Sequence, residues 1–173
     1  MSNDLKDIGK SGWAQRIIIG RHPSRTLTRI IIWIVVILLV RTYVLLPIRV
    51  EGVSMLPTYK EDGVNFVNCL AYVLHPPQRG DVVAICYTGR SVMLCKRIVA
   101  LPGEVIAFRR GHIEINGEPL EEKYVKRDCN WERAAKALGP NEYYVVGDNR
   151  SMDFDQHVQG IAVRSKIVGK ILL

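Results

Sequence analysis

Apolar positions along the chain fall into two regimes. Ile30 to Val40 is an unbroken run of Ile, Trp, Val and Leu, and after Arg41 and Thr42 it resumes as Tyr43-Val44-Leu45-Leu46 before Pro47. A helix that is apolar all round has no face to turn to water. Beyond Pro47 the apolar residues come in short runs instead. Ile48 to Val53 alternates, with Ile48 and Val50 set against Arg49 and Glu51. Further strands are expected over Val64–Leu70, Asp81–Tyr87, Val92–Ala100, Val105–Arg109, His112–Ile115, Glu142–Val146 and Val163–Leu172. They are punctuated by Glu61-Asp62-Gly63, Pro76-Pro77-Gln78-Arg79-Gly80, Thr88-Gly89-Arg90-Ser91, Leu101-Pro102-Gly103-Glu104 and Asn116-Gly117. Only Asn130–Leu138, with Trp131 and loosely spaced alanines and leucine, suggests a helix. Strands this close together, with almost no helix between them, predict a mainly β domain, an antiparallel barrel or sandwich.

The apolar run from Ile30 to Leu46 covers 17 residues. As a helix it would reach roughly 25 Å, just enough for a bilayer core with the Arg41 head snorkelling outward. A long leader precedes the run and no small-x-small site follows Val40, which favours an uncleaved anchor over a removed signal segment. The expected organisation is therefore a basic leader over 1–29, a transmembrane anchor over 30–46 and a β-rich body over 47–173.

Charge sharpens this picture. The net charge is +7, yet residues 1–29 hold six cations against two carboxylates, and Arg41 adds another, so the body carries only +2. Such a distribution speaks against a nucleic-acid partner. By the positive-inside rule it places the N-terminus in the cytoplasm and the body on the exoplasmic or periplasmic face of the plasma membrane. The four cysteines, Cys69, Cys86, Cys95 and Cys129, show no C-x-x-C spacing and no histidine at zinc-ligand distance, so buried thiols are expected and no metal.

Two residues stand out chemically. Ser54 lies in Gly52-Val53-Ser54-Met55-Leu56-Pro57-Thr58 at the end of an alternating strand, a place where serine is also an ordinary turn former. Lys96 shares one strand face with Val92, Leu94, Ile98 and Ala100, the single polar side chain on an apolar stripe. Burial there would disfavour the ammonium and make the amine a base near neutral pH, unless the side chain snorkels to water. A neutral lysine could then take the Ser54 hydroxyl proton during attack on a carbonyl. Of the histidines, His22, His75 and His112 read as leader or loop-end residues, and only His157, near Asp153 and Asp155, rivals Lys96 as a base. The polar loop Gly147 to Asp155 holds three carboxylates and Arg150, a solvated turn or an ion network that orients a neighbouring base.

In order and spacing, Gly-Val-Ser54-Met-Leu-Pro-Thr, Lys96-Arg97-Ile-Val-Ala-Leu-Pro-Gly-Glu and Gly-Asp148-Asn-Arg150 resemble the motifs of type I signal peptidases. The likeness runs over most of residues 30–173. It implies a membrane-anchored serine protease with a largely β catalytic domain, Ser54 as nucleophile and Lys96 as general base. Its substrates would be extended preproteins with small side chains at the first and third positions before the cut. No cofactor, metal or obligate partner is implied beyond preprotein and lipid bilayer. The short stretch between Gly111 and Gly139 implies a reduced second domain.

On this resemblance the Ser54 N–H, with Gly52 where many members have serine, would serve the oxyanion. Asp148, Arg150, Asp153, Asp155 and Arg97 would support the base, although Asp153, at the position of a family serine, and His157, at that of an arginine, depart from the usual pattern. Strand edges near Val50 and Met93 would sandwich the peptide, with Met55, Leu94 and Cys95 as pocket walls. A maturation peptidase with the same dyad and a catalytically silent membrane-anchored binding or assembly module remain alternatives.

Overall fold

A computed structural model of the chain describes residues 23–88, 92–127, 129–157 and 159–172. Most of the basic leader, with His22, and the Gly89-Arg90-Ser91 part of an expected hairpin turn lie outside the described residues.

The chain divides into two units, residues 1–42 and 43–173. In the first, helix α1 runs Pro23–Leu39 and passes into a π-helical turn, Val40–Val44. Its apolar side chains from Leu27 to Val40 are exposed. Among the described residues no helix is long and apolar enough to cross a membrane. The continuous helix expected over Ile30–Leu46 is thus corrected. Leu45 and Leu46 belong to strand β1 (Leu45–Arg49), where Leu46 pairs with Val67 and packs against a core cluster. Pairing and burial there win over helix continuation, and Pro47 fits because β1 is an edge strand.

The second unit is mainly β and wholly antiparallel. Strands β2 (Val64–Asn68), β3 (Val82–Thr88), β4 (Val92–Ala100), β5 (Val105–Arg109), β6 (His112–Ile115), β7 (Glu118–Pro119), β8 (Arg133–Ala137), β9 (Glu142–Val146), β10 (Gly160–Val163) and β11 (Ile167–Leu172) form two sheets with β1. One has seven strands in the order β1-β2-β11-β3-β4-β9-β10, and the other has four in the order β7-β6-β5-β8. The two edges of the larger sheet do not pair, so it is open rather than a closed barrel.

Both faces of the larger sheet are packed. Val83, Ile85, Ile98, Val145 and Ile167 form a cluster, while Val50, Met55, Tyr59, Val67 and Ala84 form another. Phe108, Ile113, Trp131, Tyr144 and Val146 join the small sheet to the large one. Asn116-Gly117 makes the expected hairpin turn, with φ positive at both residues (54° and 89°), the conformation that Asn-Gly favours.

Three expectations need correction. Asn130–Leu138 contains a strand, not a helix: β8 pairs with β5, and buried Trp131 and Leu138 pin its two ends while Arg133–Ala137 stay exposed. Val163–Leu172 is interrupted by a 3-10 turn at Arg164–Lys166, which separates β10 from β11. The strand expected at Ile48–Val53 ends at Arg49, where pairing with Val64 stops, and residues 50–54 enter a turn instead.

Candidate active site

Lys96 occupies the middle of β4, opposite Val83, and is 3% exposed. Its neighbours two positions away on the same face, Leu94 and Ile98, pack in the cluster of Val83 and Val145. Strand alternation thus forces the amine into an apolar layer. Ser54 reaches it from the turn after β1. There Gly52 adopts φ +86°, and Met55, 1% exposed, anchors the turn among Val50, Tyr59 and Val67. Lys96 Nζ and Ser54 Oγ stand 2.7 Å apart. Burial lowers the Lys96 pKa from 10.5 to about 8, against the smaller opposing pull of Cys95 and Asp148.

A second set of contacts immobilises the pair. Asp148, 1% exposed, receives Arg97 Nε at 2.8 Å and Nη2 at 2.6 Å, and Thr58 Oγ1 donates to it at 2.5 Å. The carboxylate nearest the amine is therefore already paired with a permanent cation, which limits how far it can raise the lysine. Asn149 donates its backbone N–H to the Ser54 carbonyl and its side-chain Nδ2 to the Val53 carbonyl, both at 3.0 Å.

Arg150, 2% exposed, donates through Nε to the Gly147 carbonyl at 3.0 Å and through Nη1 and Nη2 to Glu122 at 2.9 and 2.5 Å. Tyr124 donates to the same Glu122 carboxylate, and its ring lies 4.0 Å beneath the Arg97 guanidinium. Residues 122–124 thus form a strap holding both arginines.

Gly147 sets how closely these loops approach. A Cβ there would stand 2.2 Å from the Ser54 carbonyl oxygen and under 3 Å from the His157 ring. Gly147→Ala is accordingly expected to destabilise the domain by about 1–3 kcal/mol. It should also lower turnover at least tenfold by displacing Ser54, a result that denaturation curves and single-turnover cleavage would check.

The expected site residues separate in space. Ser54, Lys96, Arg97, Asp148 and Arg150 come together. Asp153 and Asp155 do not: both are exposed, and Asp155 pairs with Arg133, because the 3-10 turn Phe154–Gln156 directs Phe154 inward, against Trp131 and Phe108, in their place. A groove of about 300 Å³ runs past the dyad, lined by Val50, Gly52, Ser54, Met93, Leu94 and Cys95 among others. Met55, expected as a pocket wall, is a core residue instead, since its side chain turns under the sheet.

His157, the rival base, is 2% exposed, and among the described residues its ring makes no hydrogen bond to Ser54 or to a carboxylate. Among the described residues no group of three metal-ligating side chains converges, and Cys69, Cys95 and Cys129 are free thiols. Thr58, Glu122 and Tyr124 escaped the sequence reading. Glu122 sits in Glu121-Glu122-Lys123, which reads as solvated surface, and nothing local marks it as the partner of a buried arginine 28 residues away.

Comparison with known proteins gives a coherent set of likenesses. The family model described as signal peptidase, peptidase S26 matches residues 24–173. Signal peptidase I of Leptolyngbya laminosa is 30% identical over 148 residues, covering 81% of this chain and 73% of that protein. Signal peptidase I S of Bacillus subtilis (strain 168) is 31% identical over 153 residues, covering 81% and 82%. The crystal structure of a signal peptidase I from Enterococcus faecalis V583 is similar over 56% of this chain and 97% of that one, at 25% identity and a TM-score of 0.44.

Proposed function

Because the chain belongs to the signal peptidase family, peptidase S26, and is thereby a serine endopeptidase that cleaves signal peptides, we propose that Ser54 is its nucleophile and Lys96 its general base. The observation that carries this reading is a buried amine 2.7 Å from a hydroxyl at the edge of a peptide-sized groove.

With a pKa of about 8, roughly one lysine in ten is neutral at pH 7. Neutral Nζ takes the proton from Ser54 Oγ as the oxygen bonds to the scissile carbonyl carbon. Among the described residues the Ser54 backbone N–H has no hydrogen-bond acceptor, so it is available to the developing oxyanion, and the bare Gly52 leaves room for substrate beside it. The Lys96 ammonium then returns its proton to the departing amine, leaving the signal peptide esterified to Ser54. In the second half, neutral Lys96 takes a proton from water as that water attacks the ester, and Ser54 regains its hydrogen.

The substrate is a preprotein bound in extended form against Val50 and against Met93 to Cys95, with small side chains next to the cut. Although α1 alone is too short to cross a bilayer, its exposed apolar residues and the turn Val40–Val44 that follows lie in lipid in this reading, with the cationic leader on the cytoplasmic side and the β body on the exoplasmic face. Shared residence in one bilayer raises the effective concentration of a substrate that carries its own apolar segment.

The test is cleavage of a preprotein with a small-x-small site by the full chain in detergent. The product N-terminus is read by mass spectrometry and the acyl-enzyme is trapped by acid quench on the peptide containing Ser54. The acid limb of kcat/KM is expected near pH 8, because protonation of Lys96 removes the base. A limb above pH 10, or acylation at another residue, would overturn the assignment.

A further inference from the structure

The Lys96 ammonium formed during each turnover has three N–H bonds to satisfy in a place with almost no water. Among the described residues its one hydrogen-bond partner is Ser54 Oγ, an oxygen that becomes bonded to the acyl carbon. Four buried side-chain polar atoms among the described residues lack hydrogen-bond partners, and three belong to two residues next to this site: His157 Nδ1 and Nε2, and Gln159 Oε1.

Their placement is specific. The imidazole lies against Gly147 on the same side as the Ser54 carbonyl, and meets Trp131 in a T-shaped contact with ring centroids 5.2 Å apart. Lys96 and Arg150 are the charges that act on it. Burial above all, and then these two charges, lower its pKa from 6.5 to about 4, and among the described residues no carboxylate opposes them, so the ring is neutral and offers a lone pair. Backbone carbonyls of Asn149 and His157 oppose this weakly. Gln159 and Lys96 line the same small cavity of about 100 Å³. The amide of Gln159 is oriented because its Nε2 donates to the Phe154 carbonyl at 3.2 Å, which leaves Oε1 as the free acceptor.

We propose that His157 and Gln159 are positioning residues for the reaction: they supply the two buried acceptors that hold the Lys96 ammonium once Ser54 has given up its proton. This rests on the Ser54–Lys96 reading and adds the rest of the shell around the amine. It also gives the amine partners although Asp153, at the position of the family serine, is turned out to solvent.

The experiment compares kcat, KM and the pH profile for preprotein cleavage by His157→Phe, His157→Gln, Gln159→Leu and Gln159→Glu in the full chain. His157→Phe and Gln159→Leu remove an acceptor at similar volume. Each is expected to lower kcat about 10- to 100-fold with little change in KM. The acid limb should move to lower pH, because the ammonium loses a partner. His157→Gln, which retains an acceptor, should recover most of the loss. Gln159→Glu should move the limb the other way, to higher pH, since a carboxylate favours the charged amine.

Unmoved acid limbs in the Phe and Leu variants would overturn the proposal, as would a loss of activity that Gln does not rescue. A second measurement needs no variant of His157 or Gln159. In the wild-type chain the His157 ring resonances should shift with an inflection at the Lys96 pKa, and that inflection should be absent in Lys96→Met. Its absence from the wild type would also overturn the proposal. Failure of the underlying dyad would show differently, as cleavage retained by Lys96→Met itself.

Discussion

Replacing Lys96 by methionine is expected to abolish cleavage and, at the same time, to make the domain more stable. Loss of the general base should cost at least about a thousandfold in kcat/KM. Ser54→Ala should do the same, and the double variant should be no worse than either alone, because the two groups act as one unit. The gain in stability follows from the depressed pKa. In the unfolded chain the lysine titrates at 10.5, and in the folded protein burial brings it to about 8. Below pH 8 the ammonium is present in both states, and folding carries the full cost of desolvating it, on the order of 3 kcal/mol. Between pH 8 and 10.5 the unfolded state binds more protons than the folded one, so stability rises with pH and the cost disappears. Methionine fills a similar stem volume without charge. The variant should therefore exceed wild type by about 2–3 kcal/mol at pH 7, with the difference closing by pH 10.5. Denaturant titrations at both pH values, alongside preprotein cleavage, decide the matter. Residual activity above about one per cent, or destabilisation at pH 7, would contradict it.

The second large effect concerns Asp148. Its carboxylate takes both arms of Arg97 and the Thr58 hydroxyl with no solvent contact on its side chain. Asp148→Asn removes the charge and leaves the Arg97 guanidinium, 11% exposed, with the Gly80 carbonyl and the Tyr124 ring as its remaining partners. An uncompensated buried charge of this kind costs about 3–5 kcal/mol. Because Asn149 follows directly and holds both the Val53 and Ser54 carbonyls, turnover should fall along with stability. The pairing is tested by the double variant Arg97→Met with Asp148→Leu. It should be less destabilised than Asp148→Asn alone, since neither charge is then left buried without its counterpart. If Asp148→Asn unfolds at the wild-type midpoint, the pair is not the clamp described above.

How much of this could be read along the chain depended on distance. Alternation in β4 exposed Lys96 as an anomaly, because a period of two is a local property and one charge on an apolar face is visible within nine residues. The Asn116-Gly117 hairpin was legible for the same reason. Partners of the buried arginines were not: Asp148 meets Arg97 only where β4 pairs with β9, and Glu122 meets Arg150 across 28 residues of chain. Asp153 and Asp155 looked like the natural supports by proximity to Arg150, yet a single 3-10 turn sends Phe154 inward and both carboxylates out. At β8, residues with strong helical preference form a strand because β5 offers an unpaired edge between two buried anchors.

Lys96 and Arg97 are consecutive residues of one strand, so one sheet face carries an amine that can be dry and neutral, and the other a guanidinium that stays charged and paired. Catalytic competence is thereby a matter of parity. A single-residue deletion inside β4 upstream of this pair would bring Arg97 into the place of Lys96 and aim at Ser54 a group that cannot accept a proton near neutral pH. A two-residue change would restore the alternation, so the lineage of this enzyme can vary the length of the neighbouring loops far more freely than the count of residues in that one strand.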